Sequence, residues 1–179
     1  MKMINDQEAT RPIIDTRSSS YSDDNDRVIN LLNDLIAVCN DGRSGFEQAA
    51  EGVDRADLKT LFREYAYRRS EFAGELQTLV QTLGGDPEES GSLTGALRRG
   101  WMNIKSVVTG KDEAAILNEC ERGEDSAKNA YEEIQENDLP DYVREVIQDQ
   151  YAEVVAAHEK IRNLRDAANN RSTAAASNR

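Results

Sequence analysis

Residues 56–83, ADLKTLFREYAYRRSEFAGELQTLVQTL, decide the fold class of this chain. Apolar side chains recur here every three or four residues, the spacing that places them on one face of an α-helix. Gly84-Gly85-Asp86-Pro87 follows, and this run is a strong helix stop because glycine favours helix ends and proline cannot continue the helix. The stretch therefore predicts a long helix that must bury one face. That face comprises Leu58, Leu61, Phe62, Tyr65, Phe72, Ala73, Leu76, Leu79, Val80 and Leu83.

Three further segments carry the same periodicity, over about 26–53, 111–137 and 140–164. Helices of similar length with one apolar face bury those faces best against one another. The sequence thus predicts an all-α four-helix bundle over 25–168. The remaining ends, 1–24 and 169–179, lack apolar periodicity and are predicted to be disordered tails.

The connections suggest how the helices are arranged. The first and second helices, and the third and fourth, are joined by short links and are expected to form antiparallel hairpins. Between the hairpins lies a long connection, 84–110, for which both a crossover path and an up-and-down path stay open. It is predicted to contain an extra amphipathic helix with apolar residues Leu93, Ala96, Leu97, Trp101, Ile104, Val107 and Val108.

Composition and charge exclude several classes of function. A formal net charge of −12 opposes binding to nucleic acid and to anionic membranes. No apolar run approaches the roughly 20 residues of a membrane span, and the N-terminal stretch lacks a signal-peptide pattern. We therefore expect a cytoplasmic protein without nucleic-acid or membrane partners. Cys39 and Cys120 fall on apolar faces and are predicted to be buried thiols.

Four polar or small residues interrupt the apolar faces near the middle of the helices: Gly42, Arg69, Glu124 and Gln150. A buried charge is tolerated only when it is paired and hydrogen-bonded. The pattern thus predicts one polar layer in which Arg69 pairs with Glu124, Gln150 completes the network and Gly42 makes room for the guanidinium. The alternative is that Arg69 extends to the edge of the core and Glu124 meets water.

Several short motifs resemble a known family. They are DGRSGF at 41–46, FAGELQ at 72–77, Gly100-Trp101 and ECERGED at 119–125. The chain resembles, over about 26–167, an uncharacterised and mostly proteobacterial family of four-helix bundles within the ferritin-like superfamily. The resemblance implies a ferritin-like fold, and it brings no established activity.

The wider superfamily often holds a di-iron site, which needs a Glu from each of two helices and a Glu-x-x-His from each of the other two. This sequence departs from that pattern. Its single histidine, His158, has Val155 three residues before it, and the second helix offers the cation Arg69. Glu121, Glu124 and His158 remain as candidate ligands for a weakly held metal. We expect no cofactor, with iron as the alternative.

The leading hypothesis is a non-enzymatic structural or interaction protein, linked to stress by superfamily analogy. Basic residues of the long connection face an acidic bundle, which favours a homo-oligomer, with a dimer preferred, although a solvated face or another protein partner would also account for them. These basic residues are Arg98, Arg99, Lys105 and Lys111. The alternative function is a ferritin-like oxidase or iron store that uses Glu121, Glu124 and His158. A third hypothesis, that the core binds a small apolar molecule, has no pocket that the sequence could reveal.

Overall fold

The computed structural model describes residues 16–87, 101 and 103–177, and it is all-helical over this part of the chain. This agrees with the predicted all-α class. The helices are α1 (Thr16–Gly52), α2 (Ala56–Thr82), α3 (Ile104–Thr109), α4 (Glu113–Gln135) and α5 (Asp141–Ser177).

The four long helices form two hairpins. Residues 53–55 join α1 to α2, and residues 136–140 join α4 to α5. The hairpins pack together mainly through α1 and α4, whereas α2 and α5 approach each other more sparsely. The bundle is therefore tightly closed on one side and leaves a cleft on the other.

The helices that flank the long connection show that its two ends lie at opposite ends of the bundle. Arg55, immediately before α2, donates a hydrogen bond of 3.1 Å to Glu113, the first residue of α4. At the opposite end, Arg27 in the N-terminal part of α1 donates a bond of 2.6 Å to Asn137, just after α4. The starts of α2 and α4 thus lie at the same end, so these two helices run in the same direction. The sequence had left this choice of topology open.

The extra helix of the connection is shorter in the described part than the sequence predicts. α3 has six residues, and its Ile104 is buried. Lys105 and Lys111 are exposed. The other predicted members of this helix and of its basic face lie outside the described residues: Leu93, Ala96, Leu97, Arg98 and Arg99.

The first and last helices are longer than the apolar periodicity predicts. α1 begins at Thr16 and α5 continues to Ser177, so both helices run past the predicted domain limits at 25 and 168. Neither extension contains proline or glycine, and the helical hydrogen-bond ladder therefore continues where no apolar face remains to be buried. The rest of the predicted tails, 1–15 and 178–179, lies outside the described residues.

The core consists of two apolar clusters, one towards each end of the bundle. One cluster is mainly aliphatic and includes Leu32, Ile36, Leu76 and Ile147. The other contains more aromatic rings, with Phe46 stacked on Phe62 at a centroid distance of 6.0 Å. Burial of these side chains is the main favourable contribution to folding. The buried residues Arg69 and Glu124 lie at the level where the two clusters meet.

Candidate functional site

The four predicted polar-layer positions are all buried, one on each long helix. Gly42 lies on α1, Arg69 on α2, Glu124 on α4 and Gln150 on α5. The three side chains are 4%, 1% and 2% exposed, in the order Arg69, Glu124, Gln150. Such low exposure makes the hydrogen-bond partners of each group decisive for stability, because an unpaired buried polar group is costly.

Arg69 and Glu124 form an ion pair inside the bundle. The Nη2 group of Arg69 donates to both carboxylate oxygens of Glu124, at 2.7 and 2.6 Å. Burial lowers the pKa of Arg69, but the charge and hydrogen bonds of Glu124, together with Cys39 and Tyr131, raise the pKa above its ordinary value. The guanidinium also lies 5.6 Å from the centroid of the Phe72 ring, a distance that permits a cation–π contact. Arg69 therefore stays charged within the core.

Gly42 borders the stem of Arg69. A β-carbon at position 42 would lie 3.4 Å from both Cγ and Cδ of the arginine. A methyl group would make ordinary van der Waals contact with the arginine there, whereas a longer side chain would compete with it for space. A residue without a side chain on α1 thus leaves room for the cation from α2.

Gln150 belongs to a separate network. Its Oε1 accepts a hydrogen bond of 2.7 Å from the Tyr131 hydroxyl, and its Nε2 donates to Glu75 at 2.7 Å and to the Phe72 carbonyl at 3.4 Å. The sulfur of Cys39 lies 3.4 Å from the same tyrosine oxygen. The predicted single layer is thus divided into an ion pair and a chain of neutral groups that ends at Glu75.

Tyr131 and Glu75 are members that the sequence reasoning missed. Tyr131 falls on the apolar face of its helix, and a tyrosine in the centre of a core needs a partner for its hydroxyl, which was the available signal. Burial raises the pKa of Tyr131 well above its usual value. Burial likewise raises the pKa of the Cys39 and Cys120 thiols, and both cysteines are buried and free, as predicted.

The three candidate metal ligands have separate partners. Glu124 is bound by Arg69, Glu121 pairs with Arg165, and His158 Nε2 lies 2.6 Å from Asp125 Oδ1. No three His, Cys, Asp or Glu side chains in the described part of the chain are grouped so that they could hold a metal ion. The residues present do not fit a di-iron site, because a guanidinium binds the oxygens that a metal would need.

A second constellation surrounds Trp101. Its indole ring lies against Gly45 of α1 and Gly123 of α4, and a β-carbon at either glycine would overlap the ring. Phe46 contacts the indole edge-on, with centroids 4.9 Å apart. Close by, Glu119 accepts a bond of 2.8 Å from the backbone of Asn103 and pairs with Arg122. The motifs at 41–46 and 119–125 thus meet at this tryptophan.

The sequence reasoning did not foresee this docking site. The low helix propensity of Gly45 and Gly123 was the available signal, because glycine within a helix often marks a close approach of another group.

In the described residues, none of the helices is both long and apolar enough to cross a membrane.

An all-helical bundle with a buried ion pair is the class of protein that this geometry defines. The family model described as "Domain of unknown function (DUF2383)" matches residues 27–137, and the chain belongs to this family. The matched range contains Gly42, Arg69, Trp101 and Glu124, and it ends before Gln150. No curated protein matches the chain.

Proposed function

We propose that this protein is a non-enzymatic member of the ferritin-like superfamily, in which the Arg69–Glu124 pair takes the place of a metal centre. One observation carries the proposal: a single arginine nitrogen binds both oxygens of the most deeply buried carboxylate. A metal ion would have to displace this cation or tolerate its charge at close range, and both are unfavourable in a medium of low dielectric constant.

The path of the chain supports the fold assignment. Ferritin-like bundles have one long crossover connection between their two hairpins. Here α2 and α4 begin at the same end of the bundle, so the connection between them must span its length. Topology and site composition together favour a bundle that retains the architecture and lacks the metal chemistry.

The biological activity that we propose is interaction with protein, beginning with self-association into a dimer in a bacterial cytoplasm. The formal charge of −12 makes the bundle strongly acidic, whereas Lys105 on α3 and Lys111 just after α3 are exposed cations. Such a basic patch complements the acidic surface of a second copy. A role under stress rests on superfamily analogy alone.

Sedimentation velocity over a range of salt concentrations tests the self-association. We expect a dimer whose association weakens with salt, because contacts between exposed charges are screened. In the variant Lys105→Glu/Lys111→Glu, the dissociation constant of the dimer should rise by at least about tenfold. Lys160→Glu/Arg162→Glu, which makes the same change in net charge at exposed positions of α5, should not. A strict monomer at every salt concentration would contradict this part of the proposal.

The alternative, a ferritin-like oxidase or iron store using Glu121, Glu124 and His158, makes a different prediction. It requires bound iron that is lost in Glu124→Gln. The separate partners of these three side chains argue against it.

A further inference from the structure

A cleft of about 250 Å³ lies between α2 and α5, on the side where the bundle is less tightly closed. It is lined on the α5 side by Glu153 and by the short side chains of Ala156 and Ala157. On the α2 side, the lining includes Tyr65, Phe72 and the buried Arg69. The small residues of one helix face larger ones of the other, and the space between them is not filled by either.

Arg69 has donors that the ion pair does not use. Both of its bonds to Glu124 come from Nη2. Its Nε is buried and has no acceptor among the described residues. In the structure Nε is covered by neighbouring atoms, so a ligand oxygen reaches it only when side chains at the base of the cleft move apart. A buried donor without an acceptor costs free energy, and such an oxygen would be stabilised by a charge-assisted hydrogen bond.

Both cations that line the cleft already have counter-ions, and Glu64 adds a further carboxylate to the lining. Arg69 is neutralised by Glu124, and at the rim Arg68 forms an ion pair of 2.6 Å with Glu153 across the two helices. This rim pair also lines a neighbouring cavity of about 290 Å³, so it bridges the cleft between the two volumes. A ligand carboxylate or phosphate that entered the cleft would therefore find no unpaired cation among the lining residues.

We infer that the cleft binds a small neutral molecule with an apolar body and one carbonyl oxygen, and that the oxygen accepts a hydrogen bond from Arg69. The size is suitable, because a cavity of about 150 Å³ holds a benzene ring and this cleft is larger. The apolar body contacts Tyr65, Phe72 and Ala157, and the Arg68–Glu153 pair covers it from solvent. This binding site is independent of self-association and goes beyond the proposed function.

Benzamide and benzoate are matched probes for this inference, because they share size and shape and differ in charge. Ligands of so few atoms bind weakly, and we expect a dissociation constant on the order of 1 mM for benzamide. Titration of the full chain followed by amide-resolved NMR should show shifts confined to residues near 65–72 and 153–157. Benzoate should bind at least about tenfold more weakly, because its charge is left unmatched.

Two substitutions on α5 locate the site. Ala156 is exposed and lines the cleft, so Ala156→Phe should fill its mouth and abolish the benzamide shifts. Ala152 is also exposed, lies one turn earlier and is outside the linings of both cavities. Ala152→Phe should leave binding unchanged and serves as the control.

The donor is tested by Arg69→Met/Glu124→Leu, which removes the guanidinium without leaving a buried charge. This variant should also lose benzamide binding. If it does not fold, Ala156→Phe and its control still decide the matter. The inference is overturned if benzamide causes no localised shifts, if binding survives Ala156→Phe or is lost in Ala152→Phe, or if benzoate binds as well as benzamide.

Discussion

Two adjacent arginines of α2 make the same kind of contact in two different regions of the molecule. Arg68 pairs with Glu153 at the rim of the cleft, where the two side chains are 46% and 45% exposed. Arg69 pairs with Glu124 in the core, where they are 4% and 1% exposed. Successive residues of a helix point about 100° apart, so one step along the chain moves an ion pair from solvent to the interior.

The comparison shows that the environment, rather than the chemistry of the pair, sets its effect on stability. The rim pair is screened by water and salt and contributes little. The core pair gains little relative to an apolar core of the same volume, but the loss of one partner leaves the other charge buried and uncompensated. The interior pair should therefore be far more sensitive to mutation.

The largest expected effect is that of Arg69→Met. It leaves Glu124 buried without its counter-ion and should lower the free energy of unfolding by about 3–5 kcal/mol. Urea denaturation followed by circular dichroism measures this change. Adding Glu124→Leu to the same chain should restore most of the loss, because neither charge then remains. A double variant no more stable than the single one would show that the two residues are not partners.

Gly123→Ala tests whether the packing of Trp101 against α4, which involves no charge, fixes the position of α4 beside the ion pair. The new methyl group overlaps the Trp101 ring, so we expect a loss of about 1–3 kcal/mol from overpacking. The fluorescence of this sole tryptophan should shift to the red as the ring moves into water. Gly74→Ala is the control: its methyl group meets no other atom, and higher helix propensity should stabilise the protein by up to about 1 kcal/mol.

Tyr131→Phe separates the neutral network from the ion pair. It removes the hydroxyl that donates to Gln150 and leaves a buried amide oxygen without that bond. We expect a loss of about 1–2 kcal/mol in urea denaturation, smaller than that of Arg69→Met because no charge is stranded. If the loss equals that of Arg69→Met, the two networks act as one unit and the division inferred from the geometry is wrong.

Arg68→Met should have the smallest effect on stability. Its partners are exposed, and at an ionic strength of about 1 M the screening length falls to roughly 3 Å, which removes most of the attraction. The difference between wild type and variant in urea midpoint should therefore shrink as salt is added. A loss that is large and independent of salt would contradict the contrast between rim and core.

The sequence allowed the ion pair to be predicted because charges within an apolar stripe must find each other. Arg69 and Glu124 were each an exception on an otherwise apolar face, and they are joined in the structure. The partners of Gln150 could not be predicted in the same way, because an amide can be satisfied by many donors and acceptors. Glu75, one of those partners, reaches it from an exposed position.

Features that depend on the path of the chain were harder to infer. A connection as long as 84–110 permits either topology, and the contacts of Arg55 with Glu113 and of Arg27 with Asn137 resolve the choice. The position of Trp101 against Gly45 and Gly123 depends on the same path of the chain, and the spacing of apolar residues in the sequence does not indicate that path. Helix ends at Thr16 and Ser177 lie beyond the last apolar anchors, where periodicity gives no information.

The most direct test of the central claim, that an arginine occupies the place of a metal centre, is the iron content of untagged protein. The protein is exposed to ferrous iron without oxygen, desalted and analysed for metal, beside Glu124→Gln treated identically. We predict substoichiometric iron that is the same in both proteins, because the oxygens of Glu124 are held by Arg69. About two irons per chain in the wild type, lost in Glu124→Gln, would contradict the account.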